Sequence, residues 1–500
     1  MTSEKLQKAR EFEKRYLGIP DRNTPGFHLT GGIGWINDPN GFSVFRGEYH
    51  LFFQYYPYDL KWGPMHWGHV KTSDFIRWER LPAAMAPDQE YDEGGCFSGS
   101  AVETPDGRHL LMYTGVRGAR NADGIPESFQ TQCIAVGDGI DYEKYAGNPV
   151  IRAEDVPEGG SVHDFRDPKI WYEDGLYRAV MGNRPADGSG AVLLYESKDA
   201  VHWSYVTTVD ASENKLGRMW ECPDFFGLDG KTVLLVSPQD MMPDGLEFHP
   251  GNISLSLIGT WDPEEKRLKR ENVHTIDYGT DFYAAQTVLS TDGRRIMIGW
   301  MQNWETSAAR PPELRFAGQM SLPRELSVRD GRLCQNPVRE LERYRGKKTV
   351  YADVPVRERA GLKGIGGRCL DLSVTVRPER GQDGLGVFRM YVAGDDRYST
   401  LIRYRAEAGT IKVDRTHSGF PHDIVNIREF PVGKDLKELR LRLILDRYSL
   451  ELFVNDGAQA ASFVIYTGEE AEGISFFSED GVRIDVEQYE LCGRPEEAGQ

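Results

Sequence analysis

The sequence predicts an all-β protein in which a five-bladed β-propeller is followed by a C-terminal β-sandwich. Three observations support this prediction: stretches with a period of 3.6 residues are scarce, one hairpin signal recurs five times, and the last third of the chain alternates apolar and polar residues. The 500 residues include 54 glycines, 23 tyrosines, 22 phenylalanines and 10 tryptophans. Such a composition suits short strands that are joined by tight turns.

The recurring signal is a strand, a turn with glycine and a second, apolar strand. It occupies residues 38–57, 97–116, 165–184, 220–239 and 282–301, and its turn glycines are Gly47, Gly107, Gly175, Gly230 and Gly293. Asp-Gly before an alternating run is a strong hairpin signal. One hairpin in about sixty residues matches a four-stranded blade, and blades repeated around an axis leave only short sheet edges. We therefore predict five blades over residues 25–335.

The rest of the chain divides into three further parts. Residues 1–24 are a polar N-terminal segment, in which the pattern predicts a short helix from about Ser3 to Leu17. A short linker helix is predicted over residues 336–349. Residues 350–500 contain several runs with a period of two, such as LDLSVTVRP and GTIKVDRT. That spacing is typical of a β-sandwich.

The charge balance and the cysteines argue against several classes of protein. With 77 acidic and 60 basic residues the net charge is −17, which disfavours nucleic acid and anionic membranes as partners. The six cysteines lie far apart without a C-x-x-C pair, so neither a zinc site nor a disulfide framework is predicted. The N-terminus has no apolar signal segment, and no run reaches the roughly 18 apolar residues of a membrane helix. These features favour a cytoplasmic protein.

Three acids occupy similar places in the repeat. Asp38 precedes its turn glycine by nine residues, Asp167 by eight and Glu221 by nine. Because equivalent positions of different blades converge on the propeller axis, we expect the three carboxyl groups to face one another. Clustered carboxylates repel and raise one another's pKa, which a structural protein gains nothing from. In glycoside hydrolysis, however, one carboxylate attacks or stabilises a cationic centre and a second, with a raised pKa, protonates the leaving oxygen.

At these residues the chain resembles a known family. The stretches WINDPNG (35–41), FRDP (165–168) and ECP (221–223) are similar to the three signature motifs of glycoside hydrolase family 32, the invertases and fructan hydrolases. The resemblance covers nearly the whole chain and implies a five-bladed propeller followed by a sandwich. It also implies a β-fructofuranosidase, whose partner is a small sugar: sucrose, sucrose 6-phosphate or a short fructo-oligosaccharide.

The resemblance assigns roles to particular residues. Asp38 is expected to be the nucleophile and Glu221 the acid/base, with their carboxyl groups about 5–5.5 Å apart as in retaining enzymes. Asp167 is expected to stabilise the transition state without a covalent bond, and Arg166 to help keep it ionised. Burial and the charge of Asp38 are expected to keep Glu221 protonated at neutral pH. This chemistry requires no metal ion and no organic cofactor, and none is predicted.

Further positions match the sugar-binding segments of that family. They combine polar side chains, which suit hydroxyl groups, with aromatic faces, which suit the C–H surface of a sugar ring. The residues predicted to bind substrate are Asn37, Gln54, Trp62, Phe97, Ser98, Arg166, Asp281, Tyr283 and Trp304. For the aromatic members, packing between blades is the alternative interpretation.

Two other functions stay open from the sequence. A fructosyltransferase would use the same acids but pass the fructosyl unit to another sugar, and no motif reports on an acceptor pocket. A non-catalytic carbohydrate-binding protein would be favoured by the loss of one of the three acids, but none is missing. The sandwich domain could contact long substrates or form the interface of a homodimer, and its sequence does not decide between them.

Overall fold

Seven sheets make up the computed structural model, which describes residues 3–120, 126–420 and 424–491. Five of these sheets are successive blades around a common axis, and the last two form a sandwich. Nearly all remaining residues lie in turns and loops. The predicted fold class, an all-β protein with a five-bladed propeller and a β-sandwich, is confirmed.

The propeller strands follow the order of the chain, blade by blade. Blade 1 contains β1 (Gly34–Phe45), β2 (Glu48–Tyr56), β3 (His66–Thr72) and β4 (Glu79–Met85). Blade 2 contains β5 (Gly95–Glu103), β6 (His109–Arg120), β7 (Pro126–Gly137) and β8 (Tyr142–Lys144). Blade 3 contains β9 (Phe165–Glu173), β10 (Leu176–Asn183), β11 (Ala191–Ser197) and β12 (Trp203–Ala211). Blade 4 contains β13 (Trp220–Leu228), β14 (Lys231–Pro238), β15 (Leu255–Asp262) and β16 (Arg267–Thr275). The blade 5 segment contains β17 (Tyr283–Leu289), β18 (Arg295–Trp300), β19 (Phe316–Ala317), β20 (Arg324–Arg329) and β21 (Arg332–Pro337).

The first strand of each blade lies at the propeller axis. The strands β1, β5, β9, β13 and β17 each contact the first strand of the next blade, and β17 contacts β1, so the ring is closed. The short strand β19 leaves the blade 5 segment and pairs in parallel with β1, which joins the last blade to the first. The five turn glycines adopt φ between +76° and +86°, a region that glycine enters without strain. A hairpin is therefore present at each of the five repeats.

The sandwich is built from two antiparallel sheets that enclose one apolar core. Its strands are β22 (Arg345–Val356), β23 (Leu370–Pro378), β24 (Val387–Gly394), β25 (Ser399–Arg405), β26 (Thr410–His417), β27 (Ile427–Pro431), β28 (Leu439–Asp446), β29 (Ser449–Val454), β30 (Gln459–Val464), β31 (Gly473–Ser478) and β32 (Val482–Leu491). One sheet has the order β22-β32-β23-β28-β29-β30, and the other has the order β27-β26-β25-β24-β31. Alternate residues of each strand face the core, which explains the period of two in the sequence.

Helices are few among the described residues. The helix α1 (Glu4–Tyr16) is capped by Ser3 and packs Leu6 and Ala9 against the outer strand of blade 1. Short 3-10 helices span Glu90–Asp92, Ala153–Asp155 and Arg339–Tyr344, and the last of these lies between the two domains. No helix in the described part of the chain is both long and apolar enough to cross a membrane.

The two domains meet through buried ion pairs. Arg324 of the propeller pairs with Asp277 and with Glu451 of the sandwich, and all three side chains are fully buried. His28 lies between Asp446 and Glu451, 2.9 Å from each. Burial opposes the charge of His28, but its hydrogen bonds to the two carboxylates outweigh that effect and raise the pKa of His28 to about 9. Each acid named here therefore has a cationic partner.

Candidate active site

The innermost strand of every blade carries a β-bulge near its start. In each case the inner strand has one residue more than its partner between two paired positions. The paired positions that bracket the bulges are Ile36 and Pro39, Phe97 and Gly99, Arg166 and Lys169, Glu221 and Asp224, and Tyr283 and Gln286. A bulge turns a side chain away from the normal alternation of a strand, so five bulges at one level aim side chains toward the axis.

The three acids sit at these bulges, but not at one register. Glu221 is the last paired residue before its bulge, Asp167 is the first residue within its bulge, and Asp38 is the second. The residue of blade 4 equivalent to Asp167 is Cys222, and both have a positive φ, +64° and +47°. The nearly equal distances to the turn glycines thus locate the acids to within one or two residues, and the bulges set their final directions.

Asp38 is held by neutral hydrogen-bond donors. Ser98 Oγ donates to Asp38 Oδ2 at 2.6 Å, and Asn37 Nδ2 donates to Asp38 Oδ1 at 3.0 Å. Asn37 is itself fixed by the indole N–H of Trp35, which donates to Asn37 Oδ1 at 2.8 Å. Burial and the charge of Glu221 raise the pKa of Asp38, although Ser98 and Asn37 act in the opposite direction.

Glu221 has one cation and one phenol as neighbours. Arg166 Nε donates to Glu221 Oε1 at 3.0 Å, and the Tyr283 hydroxyl donates to Glu221 Oε2 at 2.6 Å. Arg166 is fixed in turn by Asp164 Oδ1 at 2.8 Å and by Gln130 Oε1 at 3.3 Å. Each oxygen of Glu221 therefore has its own donor, and the two hydrogen bonds fix the orientation of the carboxyl group.

Asp167 adopts a strained backbone conformation in the left-handed region, which is unusual for a residue with a side chain. Its backbone N–H donates to Thr114 Oγ1 at 3.0 Å, and its Oδ2 accepts from the backbone N–H of Cys222 at 3.0 Å. Burial and the charge of Glu221 raise the pKa of Asp167 to about 7, although the charge of Arg166 lowers it. Arg166 therefore acts in the expected direction, toward an ionised Asp167, while burial and the charge of Glu221 oppose it.

The side chain of Cys222 lies between two of the acids. Its Sγ is 3.6 Å from Asp38 Oδ2 and 3.7 Å from Asp167 Oδ2. Burial and the charges of the neighbouring acids raise the pKa of the Cys222 thiol well above its usual value. The thiol therefore keeps its proton and can donate weakly to either carboxylate.

Four of the predicted substrate-binding residues touch the acids themselves. Asn37 and Ser98 donate to Asp38, and Arg166 and Tyr283 donate to Glu221. A fifth, Gln54, lies opposite the bulge of blade 1, is buried, and donates through Nε2 to the backbone oxygen of Cys96 at 2.9 Å.

Three of the four predicted aromatic residues, Trp62, Phe97 and Trp304, keep exposed surface, whereas Tyr283 is buried. Trp62 is 46% exposed and packs edge-on against the partly exposed ring of Phe97, with 5.9 Å between the ring centroids. Trp304 is also partly exposed and stacks on Trp35, with 5.8 Å between centroids. Packing between blades does not bury any of these three side chains completely.

Asp281 does not lie with the other residues that were predicted to bind substrate. Its side chain is fully buried, pairs with Arg415 of the sandwich and accepts a hydrogen bond from the backbone N–H of Val464 at 2.9 Å. Hydroxyl groups of Thr280 and Thr306 lie on its two oxygens as well. The structure therefore places Asp281 in the domain interface, contrary to its prediction as a sugar ligand.

Several residues of the site escaped the sequence analysis. Thr114 and Gln130 come from β6 and β7 of blade 2, and nothing in their local sequence marks them. Asp164 stands directly before the FRDP stretch (165–168), so its closeness to the motif was the available signal. Among the described residues, no group of three or more His, Cys, Asp or Glu side chains has the arrangement of a metal site.

Both domains match a known family. Residues 28–337 match the N-terminal domain of the glycosyl hydrolases family 32, and residues 340–491 match its C-terminal domain. The chain belongs to glycoside hydrolase family 32. It is a glycosidase of that family, as the family resemblance of its three motifs implied.

Relatives of this family 32 chain include enzymes that act on sucrose-type sugars. A raffinose invertase of Escherichia coli is 38% identical over 474 residues, which cover 92% of this chain and 93% of the relative. A sucrose-6-phosphate hydrolase of Zymomonas mobilis is 38% identical over 447 residues, which cover 86% of this chain and 84% of the relative.

Solved structures share the fold over nearly the full length. A family 32 β-fructofuranosidase of Bombyx mori has a TM-score of 0.81 at 32% identity, and the match covers 97% of this chain and 98% of that one. A mutant of the same enzyme has been solved in complex with sucrose. A sucrose-6-phosphate hydrolase of Lactobacillus gasseri has a TM-score of 0.82 at 26% identity, with 98% and 96% of the two chains covered.

Proposed function

We propose that this family 32 glycosidase is a retaining β-fructofuranosidase that releases fructose from sucrose, sucrose 6-phosphate or short fructo-oligosaccharides. The observation that most supports this proposal is that Asp38 and Glu221 stand together on inner strands of the propeller. Neutral donors orient Asp38, and a cation and a phenol orient Glu221. Two carboxyl groups with different surroundings are what a double-displacement glycosidase needs.

In the first step Asp38 attacks the anomeric carbon of the fructosyl unit. Ser98 and Asn37 each direct a hydrogen bond to a different oxygen of Asp38, so the carboxylate has one orientation before the substrate arrives. The raised pKa of Asp38 makes it a stronger nucleophile when it is ionised. The bond from the anomeric carbon to the leaving sugar breaks as the ester with Asp38 forms.

Glu221 supplies the proton for the leaving oxygen in this step and removes a proton from water in the next. Arg166 and the Tyr283 hydroxyl hold its two oxygens in place for both proton transfers. Burial and the charge of Glu221 raise the pKa of Asp38 and raise that of Asp167 to about 7. We assign the acid role to Glu221 and the stabilising role, without a covalent bond, to Asp167.

The aromatic residues are proposed to frame the sugar. Trp62, Phe97 and Trp304 keep partly exposed rings close to the acids, and such faces cover the C–H surfaces of a sugar. Among the relatives are an invertase named for raffinose and hydrolases named for sucrose 6-phosphate. We infer a small sugar as substrate for this chain too.

We also propose a cytoplasmic location. The five cysteines in the described residues are unpaired, which suits a reducing compartment. Measured thiol oxidation states in intact cells would test this location. The expectation of a homodimer is kept as a proposal, and sedimentation of the purified protein would decide it.

The first test is fructose release from sucrose, 6-phosphosucrose, 1-kestose and inulin, offered in parallel to the purified protein. Fast release from one of the first three would support the proposal and rank the three substrates. Release of a fructosylated product with little free fructose would favour a fructosyltransferase. A folded protein that acts on none of the four would contradict the proposed function.

A second test examines the stereochemistry. With methanol present, part of the covalent intermediate should be intercepted as methyl fructoside. A retaining enzyme gives the β anomer, because two inversions occur in sequence. The α anomer, identified by NMR of the initial product, would exclude a covalent intermediate on Asp38.

A further inference from the structure

Just beyond the bulges, the inner strand of every blade carries a buried polar side chain that contacts another blade. These residues, called the polar collar below, are Asn40, Ser100, Lys169, Asp224 and Gln286, and each is 9% exposed or less. They lie one or two residues past the bulge of their own strand. Burying a polar group costs free energy unless it forms hydrogen bonds, so the partners of these five side chains reveal what they do.

Ser100 joins blade 2 to blade 3. Its Oγ donates to the backbone oxygen of Pro168 at 2.7 Å and accepts from the backbone N–H of Ile170 at 2.7 Å. Pro168 is the second residue of the bulge that begins with Asp167. One hydroxyl of a neighbouring blade therefore fixes the backbone on which Asp167 stands.

Gln286 joins blade 5 to two other blades. Its Nε2 donates to the backbone oxygen of Gly99 in blade 2 at 2.7 Å, and its Oε1 accepts from the backbone N–H of Phe42 in blade 1 at 3.1 Å. Gly99 follows Ser98 directly, and Ser98 donates to Asp38. The amide of Gln286 thus ties down the strands that carry Asp38 and its donor.

Lys169 and Asp224 join blades 3, 4 and 5. Lys169 Nζ donates to Asp224 Oδ2 at 2.9 Å and to the backbone oxygen of Thr287 at 2.6 Å. Asp224 Oδ2 also accepts from the backbone N–H of Thr287 at 2.6 Å. Lys169 is two residues after Asp167 and Asp224 is three after Glu221, so this pair links the strands of those two acids.

Asn40 completes the ring between blades 1 and 2. One terminal atom of its amide lies 3.3 Å from the backbone nitrogen of Gly99 and 3.3 Å from Ser98 Oγ. The same hydroxyl of Ser98 holds Asp38. Every blade is therefore connected to at least one other by a side chain at this level.

The backbone groups that bond to the collar residues have a common physical origin. Apart from the two residues of β1 that pair with β19, the inner strands are the edges of their sheets, and an edge strand presents backbone N–H and C=O groups that the sheet cannot satisfy. The contacts of Ser100, Gln286, Lys169 and Asp224 to backbone atoms all go to such groups on inner strands of other blades. Sheet-to-sheet packing alone leaves blades free to slide, whereas these directed bonds fix the blades against one another.

We propose that the polar collar positions the three acids, by locking the five bulges into one rigid ring below Asp38, Asp167 and Glu221. The collar residues do not touch the reacting atoms and act through the acids. This inference rests on the proposed function for its kinetic readout only, since the geometry of the acids can be measured without a substrate. A shift of about 1 Å in a positioned group costs on the order of a hundredfold in rate.

The test compares Ser100→Ala with Ser212→Ala. Ser212 is 1% exposed and follows β12, the outermost strand of blade 3. Its Oγ donates to the backbone oxygen of Gly217 at 2.9 Å and accepts from the backbone N–H groups of Gly190 at 3.1 Å and Asn214 at 3.2 Å. Ser100→Ala loses two hydrogen bonds to backbone groups and Ser212→Ala loses three, so the control should lose at least as much stability. Only Ser100→Ala is expected to lower kcat on sucrose, by about 30- to 100-fold, with KM changed less than about threefold. Gln286→Met serves as a second collar variant with the same expectation.

Crystal structures of the variants supply a readout that needs no activity. In Ser100→Ala the contact between Cys222 N and Asp167 Oδ2 should lengthen beyond about 3.5 Å, whereas Ser212→Ala should keep it. Equal losses of kcat in both serine variants, or an unmoved Asp167 in Ser100→Ala, would overturn the proposal. If the wild-type protein releases no fructose, the proposed function fails, and the position of Asp167 alone decides whether the collar acts as proposed.

Discussion

Two groups of acids in this protein are withdrawn from bulk water, and their surroundings are opposite. The funnel acids are Asp38, Asp167 and Glu221. They lie beside neutral donors, and among the described residues only one guanidinium group, that of Arg166, is in contact with them. The interface acids each pair with a fully buried cation, and they are Asp277, Asp281, Asp446 and Glu451.

The pKa values follow this difference. Burial and Glu221 raise the pKa of Asp38 and that of Asp167. In the interface, burial also acts to raise the pKa of Asp446 and that of Glu451, but their cationic partners outweigh it and lower both values. The comparison teaches that burial alone does not make an acid reactive. The number of cations beside it decides whether it serves as a structural ion or exchanges protons near neutral pH.

The largest expected effect is that of Asp38→Asn. Loss of the proposed nucleophile should lower kcat on sucrose by about 10⁴-fold or more, because no covalent intermediate can form. The same change replaces a buried acid with a raised pKa by a neutral amide, so the free energy of unfolding should stay equal or rise, as urea titration would measure. A clear loss of stability would mean that the funnel acids stabilise the fold as the interface acids do.

The next effect belongs to the interface. Arg415→Met leaves the carboxylate of Asp281 buried without its cation, which should cost about 3–5 kcal/mol of unfolding free energy. Adding Asp281→Asn removes that charge and keeps an oxygen for the N–H of Val464, so the double variant should recover most of the loss. Urea titrations of the two variants and the wild type give these values.

Asp281→Asn alone distinguishes the interface from the sugar site. Its kcat/KM on sucrose should change less than about threefold, because the side chain is buried away from the substrate and the neutral amide still bonds its neighbours. A loss of a hundredfold or more with the fold intact would restore Asp281 to the set of sugar ligands.

A smaller effect is the pH dependence that His28 gives to stability. Its pKa is about 9 in the folded protein, against 6.5 as the ordinary value, so the folded state binds a proton more tightly. The stabilisation is complete below about pH 6.5 and is lost as the pH rises through 9. The difference in unfolding free energy between the wild type and His28→Gln should therefore shrink between pH 6 and pH 9.5. An equal difference at both pH values would mean that His28 is not charged in the interface.

The smallest expected effect is that of Cys222→Ala. Loss of the thiol removes a weak donor near Asp38 and Asp167, so their pKa values should rise further and the acidic limb of the kcat/KM profile should move to higher pH by a fraction of a unit. Activity at the optimum should fall less than about tenfold. Cys133→Ala is the control, because Cys133 is buried in blade 2 and its Sγ bonds only the backbone oxygen of Thr131, at 4.0 Å, among the described residues. If the pH profile of kcat/KM is the same in both variants, the Cys222 thiol has no effect on the pKa values of the acids.

Local chemistry made much of the fold predictable. The turn glycines, such as Gly47 and Gly230, adopt the positive φ that their hairpins need, and a turn of this kind is fixed by the residues within it. The same repeat located the three acids to within one or two residues of a common level, since each precedes the turn glycine of its hairpin by eight or nine residues. The direction in which each acid points was not predictable, because a bulge depends on how the strand pairs with its neighbour.

Asp281 illustrates where prediction from sequence failed. Its residue type and its place before Tyr283 fit a sugar ligand, yet its partner Arg415 is 134 residues away in the other domain. Arg166 acts on the adjacent Asp167 through its charge, as expected, but its Nε donates to Glu221, 55 residues further along the chain. In both cases the neighbour in space differs from the neighbour in sequence.

The sequence by itself determined the blades, the sandwich, the family and the identity of the three acids, because turn chemistry, alternation and short motifs are local properties of the chain. Only the tertiary structure decided which acids stand with few cations and which are paired, how the bulges aim them, and how the polar collar joins the blades. Those features depend on contacts between residues that are far apart in sequence, and burial sets the free energy of each contact only when the blades and the two domains have come together.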